Sequence, residues 1–142
     1  MIPPPPIPDE SERLAALDES GLLFSPAEER FDRITRLASH VLETPMAMVS
    51  LVGDTRQWFK SAQGLQAGET PREVAFCAHA IAAGGALVVE DAAADERFAD
   101  NPLVTGDPHV RAYAGSVIRS PAGQPLGTLC VIDSKPRRFS EE

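Results

Sequence analysis

The stretch PLGTLCVIDS, residues 125–134, reads as a strand buried on both faces. Leu126, Cys130 and Ile132 alternate with Leu129 and Val131, so neither side is polar over its length. That pattern suits the middle of a sheet covered on both sides better than an edge with one wet face. Gly127 near its start predicts a bulge or a close approach of backbones, and Asp133 marks where burial ends. A second run, MAMVSLV at 46–52, has the same two-faced apolar character. Two such strands imply a sheet with helices on one face and a different covering on the other. What lies beneath that second covering is the functional question.

Moving outward from this strand, SPAG at 120–123 is a turn with Pro at its second position, and VRAYAGSVIR at 110–119 is the strand that precedes it. Before that comes a long connection, AAADERFADNPLVTGDP, with one helical turn expected at 95–99. A connection of that length inside a compact domain usually serves binding. It follows a short strand, ALVVED at 86–91. Thr70-Pro71-Arg72-Glu73 has capping-box grammar and predicts a helix running through FCAHAIAA to a C′ glycine, Gly84. RQWFKSAQG at 56–64 is the returning strand of a hairpin turned at Gly53-Asp54-Thr55. One of Trp58 and Phe59, adjacent on it, must point away from the core.

Nearer the N-terminus, Ser25, Pro26 and Glu28 predict a helix start with Ser25 at the N-cap. Phe31, Ile34, Leu37, Ala38 and Val41 then form one apolar stripe of helical period, and Pro45 stops the helix. Asp9 is placed to cap a short earlier helix, with Glu12 three residues on, Leu14 and Leu17 as its apolar face and Gly21 at its end. Residues 1–8 form a proline-rich leader, expected to be an extended arm. Phe139-Ser140-Glu141-Glu142 reads as a first helical turn whose helix is missing, which predicts that the chain belongs to something longer.

Composition narrows the function. The chain has 142 residues, enough for one domain with a real core. A net charge of −8, with Lys135, Arg137 and Arg138 as the one basic cluster, excludes a phosphate-tracking surface and hence nucleic acid as partner. No apolar run reaches spanning length, and the N-terminus lacks the basic and apolar regions of a signal peptide, so no membrane contact is expected. Cys77 and Cys130 give neither a disulfide framework nor a CxxC pair, and the expected location is the cytoplasm. There is no GxSxG, HExxH, P-loop or Rossmann glycine pattern.

Five phrases in order, EERFDRITRLA (28–38), SLVGDTRQWFKS (50–61), ETPREVAFCAHAI (69–81), ERFADNPLVTGDPHVRAYAG (96–115) and GTLCVID (127–133), resemble the GAF domain, in the subgroup found N-terminal to bacterial diguanylate cyclases and sensor histidine kinases. The resemblance implies an α+β fold: an antiparallel sheet of five or six strands flanked by helices in a three-layer sandwich. It implies a domain over residues 9–142 that lacks its C-terminal helix and any output domain. It also implies a homodimer bundled through terminal helices, and a pocket for an unidentified small-molecule ligand roofed by the middle helix and the long loop.

The candidate ligand-binding residues are Phe76, Cys77, His79, Asp91, Phe98, His109, Arg111 and Tyr113. No catalytic or metal-binding residue is assigned, and the cofactor stays unknown. Cys77 and His79, two apart on a helix, project about 200° from each other and are badly placed to chelate one metal. A redox role for the cysteines would need a lowered thiol pKa or a resolving partner nearby, and neither is legible in the sequence. Phe76 and Phe98 are roof residues, facing either core or ligand. If Arg111 and Tyr113 turn inward, a guanidinium and an aromatic ring meet a planar or anionic ligand; Arg111 facing solvent is the alternative. Asp91 is a polar anchor or a loop cap. His109 lies in a stretch that resembles the chromophore pocket of bilin photoreceptors, but Pro108 stands where their attachment cysteine would be. A sensory domain is the leading expectation. A dimerisation spacer with a filled pocket, and a free-methionine sulfoxide reductase on the same scaffold, are the alternatives.

Overall fold

The two-faced strand is the centre of the molecule. In a computed structural model, described here for residues 4, 7, 9–22, 28–64, 69–106, 109–121 and 123–136, six antiparallel strands form one sheet. They are β1 (Met46–Val52), β2 (Arg56–Gln63), β3 (Glu69–Pro71), β4 (Ala86–Val89), β5 (Ala112–Arg119) and β6 (Pro125–Asp133). Their spatial order is β3-β2-β1-β6-β5-β4, so β6 lies between β1 and β5 as its apolar pattern requires. The sixth strand, β3, comes from residues expected to cap a helix. Thr70 instead pairs with Gln57 on β2 and accepts a hydrogen bond from its Nε2 at 3.0 Å. A 3₁₀ turn at Arg72–Val74 and an extended Ala75 then separate β3 from the middle helix, so the expected single helix is in fact a strand, a turn and a helix.

Two bulges shape the sheet. Along β5–β6 the pairing passes from Ile118–Gly127 to Arg119–Pro125, leaving Leu126 as the extra residue. Leu126 thereby joins Leu17 and Leu51 in a small cluster on the outer face, with Trp58 packed against it. In β1–β2 the register steps from Val49–Ser61 to Ser50–Phe59, with Lys60 extra. Trp58 and Phe59 accordingly part company, Phe59 packing on the inner core. Gly127 lies against the backbone of β1: a Cβ there would sit 2.7 Å from the carbonyl carbon of Ser50 and closer still to its oxygen. The close approach expected at that glycine is therefore real.

The outer face carries α1 (Glu10–Ser20) and α2 (Glu29–Leu42). Helix α1 ends at Gly21 as expected, in the left-handed region at φ 69°, but Asp9 makes no side-chain cap. Fully buried Arg13 anchors the helix, donating to the carbonyls of Val52 (2.7 Å) and Pro125 (3.4 Å) and to Glu10 (2.9 Å). The Ser25–Pro26 start expected for α2 lies outside the described residues; the described helix has Glu28 at its N-cap position.

Much of its apolar stripe is turned from the sheet, although Phe31 and Ala38 are half-buried. Ile34, Leu37 and Val41 are 44%, 60% and 64% exposed, while Thr35 is buried. The reason lies in what α2 rests on. The outer side of β2 presents Lys60 and Ser61, and these take polar partners: Thr35 Oγ1 to Ser61 Oγ at 2.8 Å, Ser61 Oγ to Asp32 at 2.6 Å, and Lys60 Nζ to Glu28 at 2.6 Å.

The inner face carries the larger core, covered by α3 (Phe76–Ala83) and by the connection after β4. Residues 76–81 of α3 are all buried, His79 among them, and Gly84 ends it at φ 92°. The connection holds a 3₁₀ turn (Ala92–Ala94) and a short helix, α4 (Pro102–Thr105). Helices outside, sheet, helix and loop inside: this is the three-layer sandwich. Among the described residues no helix is long and apolar enough to cross a membrane.

Candidate functional site

Alternation on three neighbouring strands brings their inner-face residues together beneath α3. Ser50 on β1 is paired with Thr128 on β6, Met48 with Cys130, and Cys130 in turn with Gly115 on β5. Two residues before Gly115, Tyr113 lays its ring along the sheet, over the place a side chain at 115 would occupy. A Cβ at Gly115 would come within 2.7 Å of the Tyr113 ring carbon Cζ. The phenol therefore reaches the centre of the inner face.

Cys77, in the first turn of α3, drops its sulfur into this group. It accepts hydrogen bonds from Ser50 Oγ (2.9 Å), Thr128 Oγ1 (2.9 Å) and Tyr113 Oη (3.2 Å). Both cysteines are free and buried. Burial pushes the Cys77 thiol up, but hydrogen bonds from Cys130, Ser50, Thr128 and Tyr113 outweigh it and bring the thiol down to about 7. Cys130 moves the other way. Its hydrogen bond to Cys77, then burial, then the neighbouring sulfur's charge hold it well above the ordinary thiol range. The Tyr113 phenol is also raised, by burial and then by the charges of the two sulfurs.

Above this polar knot the aromatic rings close the roof. Phe76 stacks on Phe98 with centroids 4.1 Å apart, Tyr113 lies 5.2 Å from Phe76, and His79 meets the Phe98 ring edge-on at 4.8 Å. Phe76, Phe98 and Tyr113 are each 3% exposed or less, so all three rings are packed into the inner core. Arg97, paired with Asp95 at 2.7 Å, covers the far side of Phe98 at 5.1 Å. Asn101 ties the connection to the start of α3: its Nδ2 donates to Val74 O (3.1 Å), and its Oδ1 caps α4 through Leu103 N–H (2.8 Å).

Of the eight candidates, five meet here: Phe76, Cys77, His79, Phe98 and Tyr113. Asp91 and Arg111 form a separate ion pair at 2.8 Å on the rim, where Asp91 also caps the 3₁₀ turn through Ala93 N–H. Arg111 lies just before β5, is half-exposed, and is held by Asp91 at the rim, apart from the group beneath α3. His109, left-handed at φ 61°, is exposed. Ser50 and Thr128, not among the candidates, sit in apolar runs as ordinary strand residues; only strand register and the seat of α3 bring them to Cys77. Among the described residues no cluster of three or more His, Cys, Asp or Glu could hold a metal.

The family model of the GAF domain matches residues 26–142. This chain belongs to the GAF family. A GAF domain is a sensory and regulatory module, and the strand order and layers described above are those of its solved members. The GAF domain of an Acinetobacter phosphoenolpyruvate-protein phosphotransferase superposes with a TM-score of 0.64 at 16% identity, covering 92% of this chain and 82% of that one. A free methionine-R-sulfoxide reductase from Neisseria meningitidis gives 0.65 at 17% identity, covering 99% and 84%. At such identities these likenesses show the fold alone. A Pseudomonas aeruginosa protein named cyclic di-GMP phosphodiesterase is 44% identical over 137 residues, 96% of this chain. The match spans 23% of that relative's length. Its name is that of a phosphodiesterase, where the resemblance in sequence implied cyclases and kinases.

Proposed function

We propose that this GAF domain is the small-molecule-sensing input module of a bacterial cyclic di-GMP signalling protein in the cytoplasm, working as a homodimer through its outer helices. The observation that carries the reading is the division across the sheet. Hydroxyls and thiols gather under a roof on the inner face, and an uncovered apolar stripe, Ile34, Leu37 and Val41, runs along α2 on the outer face. Burying polar groups at the centre of a core is costly unless they are satisfied, and a plain scaffold gains nothing from them. A stripe at i, i+3 and i+7 is the seam of a helix packed against another helix. Identity of 44% to the phosphodiesterase favours an output that handles cyclic di-GMP.

Signalling would then be a population shift. A ligand that binds better when α3 and the connection move must favour one packing of the outer helices over the other. Thermal unfolding against a panel of nucleotides, amino acids and hemes tests the sensing half. A concentration-dependent rise in Tm with one compound supports it, and none across the panel refutes it. Sedimentation of the wild type and of Leu37→Asp tests the dimer half: a dimer that becomes a monomer is expected.

The closed stack of Phe76 on Phe98 favours a second reading, a dimerisation spacer whose interior is filled by its own side chains. It predicts the dimer without any ligand-dependent rise in Tm. An assay of methionine sulfoxide reduction, before and after Cys77→Ser, separates both readings from the reductases that share the fold.

A further inference from the structure

The buried thiols have chemistry that neither sensing nor dimerisation uses. Cys77 belongs to α3 and Cys130 to the inner face of β6. Tyr113 Oη, 3.2 Å from the Cys77 sulfur, lies over Gly115, the cross-strand partner of Cys130. Thr128, 2.9 Å from the same sulfur, stands two residues from Cys130 on that face, so the two thiols share one centre. Three hydroxyls point their protons at Cys77, the arrangement that favours a thiolate over a thiol. A nucleophilic sulfur beside a resolving one is what reversible oxidation requires.

We propose that Cys77 and Cys130 are a redox-active dithiol, oxidised by a hydroperoxide to an intramolecular disulfide that staples the roof helix to the central strand. In the first step the Cys77 thiolate attacks the terminal peroxide oxygen. An S–O bond forms, the O–O bond breaks, and the leaving oxygen takes up a proton to become water or an alcohol. The product is the Cys77 sulfenic acid. In the second step the sulfur of Cys130 attacks that of Cys77. The S–S bond forms, the S–O bond breaks, and the hydroxyl leaves as water with the proton that Cys130 gives up. Two electrons pass from the two thiols to the peroxide. The disulfide forms once the two sulfurs close to about 2.05 Å. Ser50, Thr128 and Tyr113 are positioning residues here, holding Cys77 in its reactive form.

Access comes through the roof. Cys77 is 2% exposed, beneath the Phe76–Phe98 stack, so the peroxide reaches it only when α3 or the connection after β4 lifts. The pair would therefore record roof opening, and oxidation would lock the roof shut. The inference goes beyond the sensing reading and stands whether or not the domain binds a ligand.

The test uses the whole folded chain, reduced and then treated with hydrogen peroxide. The excess is removed, and the remaining thiols are alkylated in denaturant. Mass spectrometry is expected to show both thiols lost to alkylation, a cross-linked peptide pair containing Cys77 and Cys130, and return of both thiols with dithiothreitol. In Cys130→Ser, Cys77 is expected to accumulate a dimedone-reactive sulfenic acid. In Cys77→Ser, Cys130 is expected to stay reduced. Two alkylatable thiols after peroxide treatment of the native wild type would overturn the proposal, and so would disulfides formed only between chains. If either variant does not fold, the cross-link map of the wild type decides by itself.

Discussion

The sheet contains two glycines whose replacement by alanine should have unequal costs. At Gly127 the added methyl meets main chain: 2.7 Å to Ser50 C and 2.9 Å to Leu51 Cα. Carbon atoms rest about 3.5–4.0 Å apart. Strands β1 and β6 would thus have to part by roughly 1 Å, because a strand held on both sides cannot rotate away. That movement loosens ladder hydrogen bonds worth about 1 kcal/mol each and opens the packing on both faces. We expect Gly127→Ala to cost about 3–5 kcal/mol. Alanine's advantage over glycine in a strand returns roughly 0.5–1 kcal/mol, too little to change the sign. At Gly115 the same methyl meets a side chain, the Tyr113 ring, at 2.7 Å to Cζ. The ring can tilt, so the expected cost is about 1–3 kcal/mol. The tilt also withdraws Tyr113 Oη from Cys77. Urea unfolding of both variants beside the wild type measures the difference. If Gly127→Ala lies within about 0.5 kcal/mol of the wild type, or Gly115→Ala is the more damaging, the backbone argument is wrong.

Three further outcomes follow from the packing. Arg13→Ala leaves the Val52 and Pro125 carbonyls without their buried donor, and should lower stability by about 2–4 kcal/mol in denaturant melts. Glu10 accepts from Arg13 and from Arg72, at 2.9 and 2.5 Å. Burial raises its carboxyl, but the two guanidinium groups overcome that and hold it down at about 2. The stabilisation is therefore complete above the unfolded value near pH 4.5 and lost as the pH falls toward 2; stability curves of Glu10→Gln should be flatter than those of the wild type over that window. Asn101→Ala removes the α4 cap and the tie to Val74, at a cost of about 1–2 kcal/mol. It should also speed alkylation of Cys77 in the native protein, measured by thiol-labelling kinetics; an unchanged rate would mean that the connection does not gate the thiol.

Much of this architecture was legible from short-range pattern. A strand apolar on both sides must be covered on both sides, so PLGTLCVIDS by itself placed β6 in the middle and required two layers around it. Gly84 at the end of α3 and Pro121 in its turn act through local backbone geometry, which neighbours in sequence suffice to read. The GAF resemblance, carried by five ordered phrases, turned those elements into a fold.

Other features depended on tertiary structure, because they arise between residues far apart in the chain. The stripe on α2 looks like a core face by period alone. It is exposed because β2 offers Lys60 and Ser61 to that helix, a choice made by the bulge at Lys60. Thr70 carries a capping residue's chemistry and became part of an edge strand when Gln57 was within reach. Ser50, Thr128 and Cys130 are unremarkable in sequence, and antiparallel register with the packing of α3 makes them neighbours of Cys77 and Tyr113. Periodicity reports which way a side chain points from its own element. Which groups wait on the other side, and hence whether two thiols and three hydroxyls share one buried centre, is decided only when the strands pair.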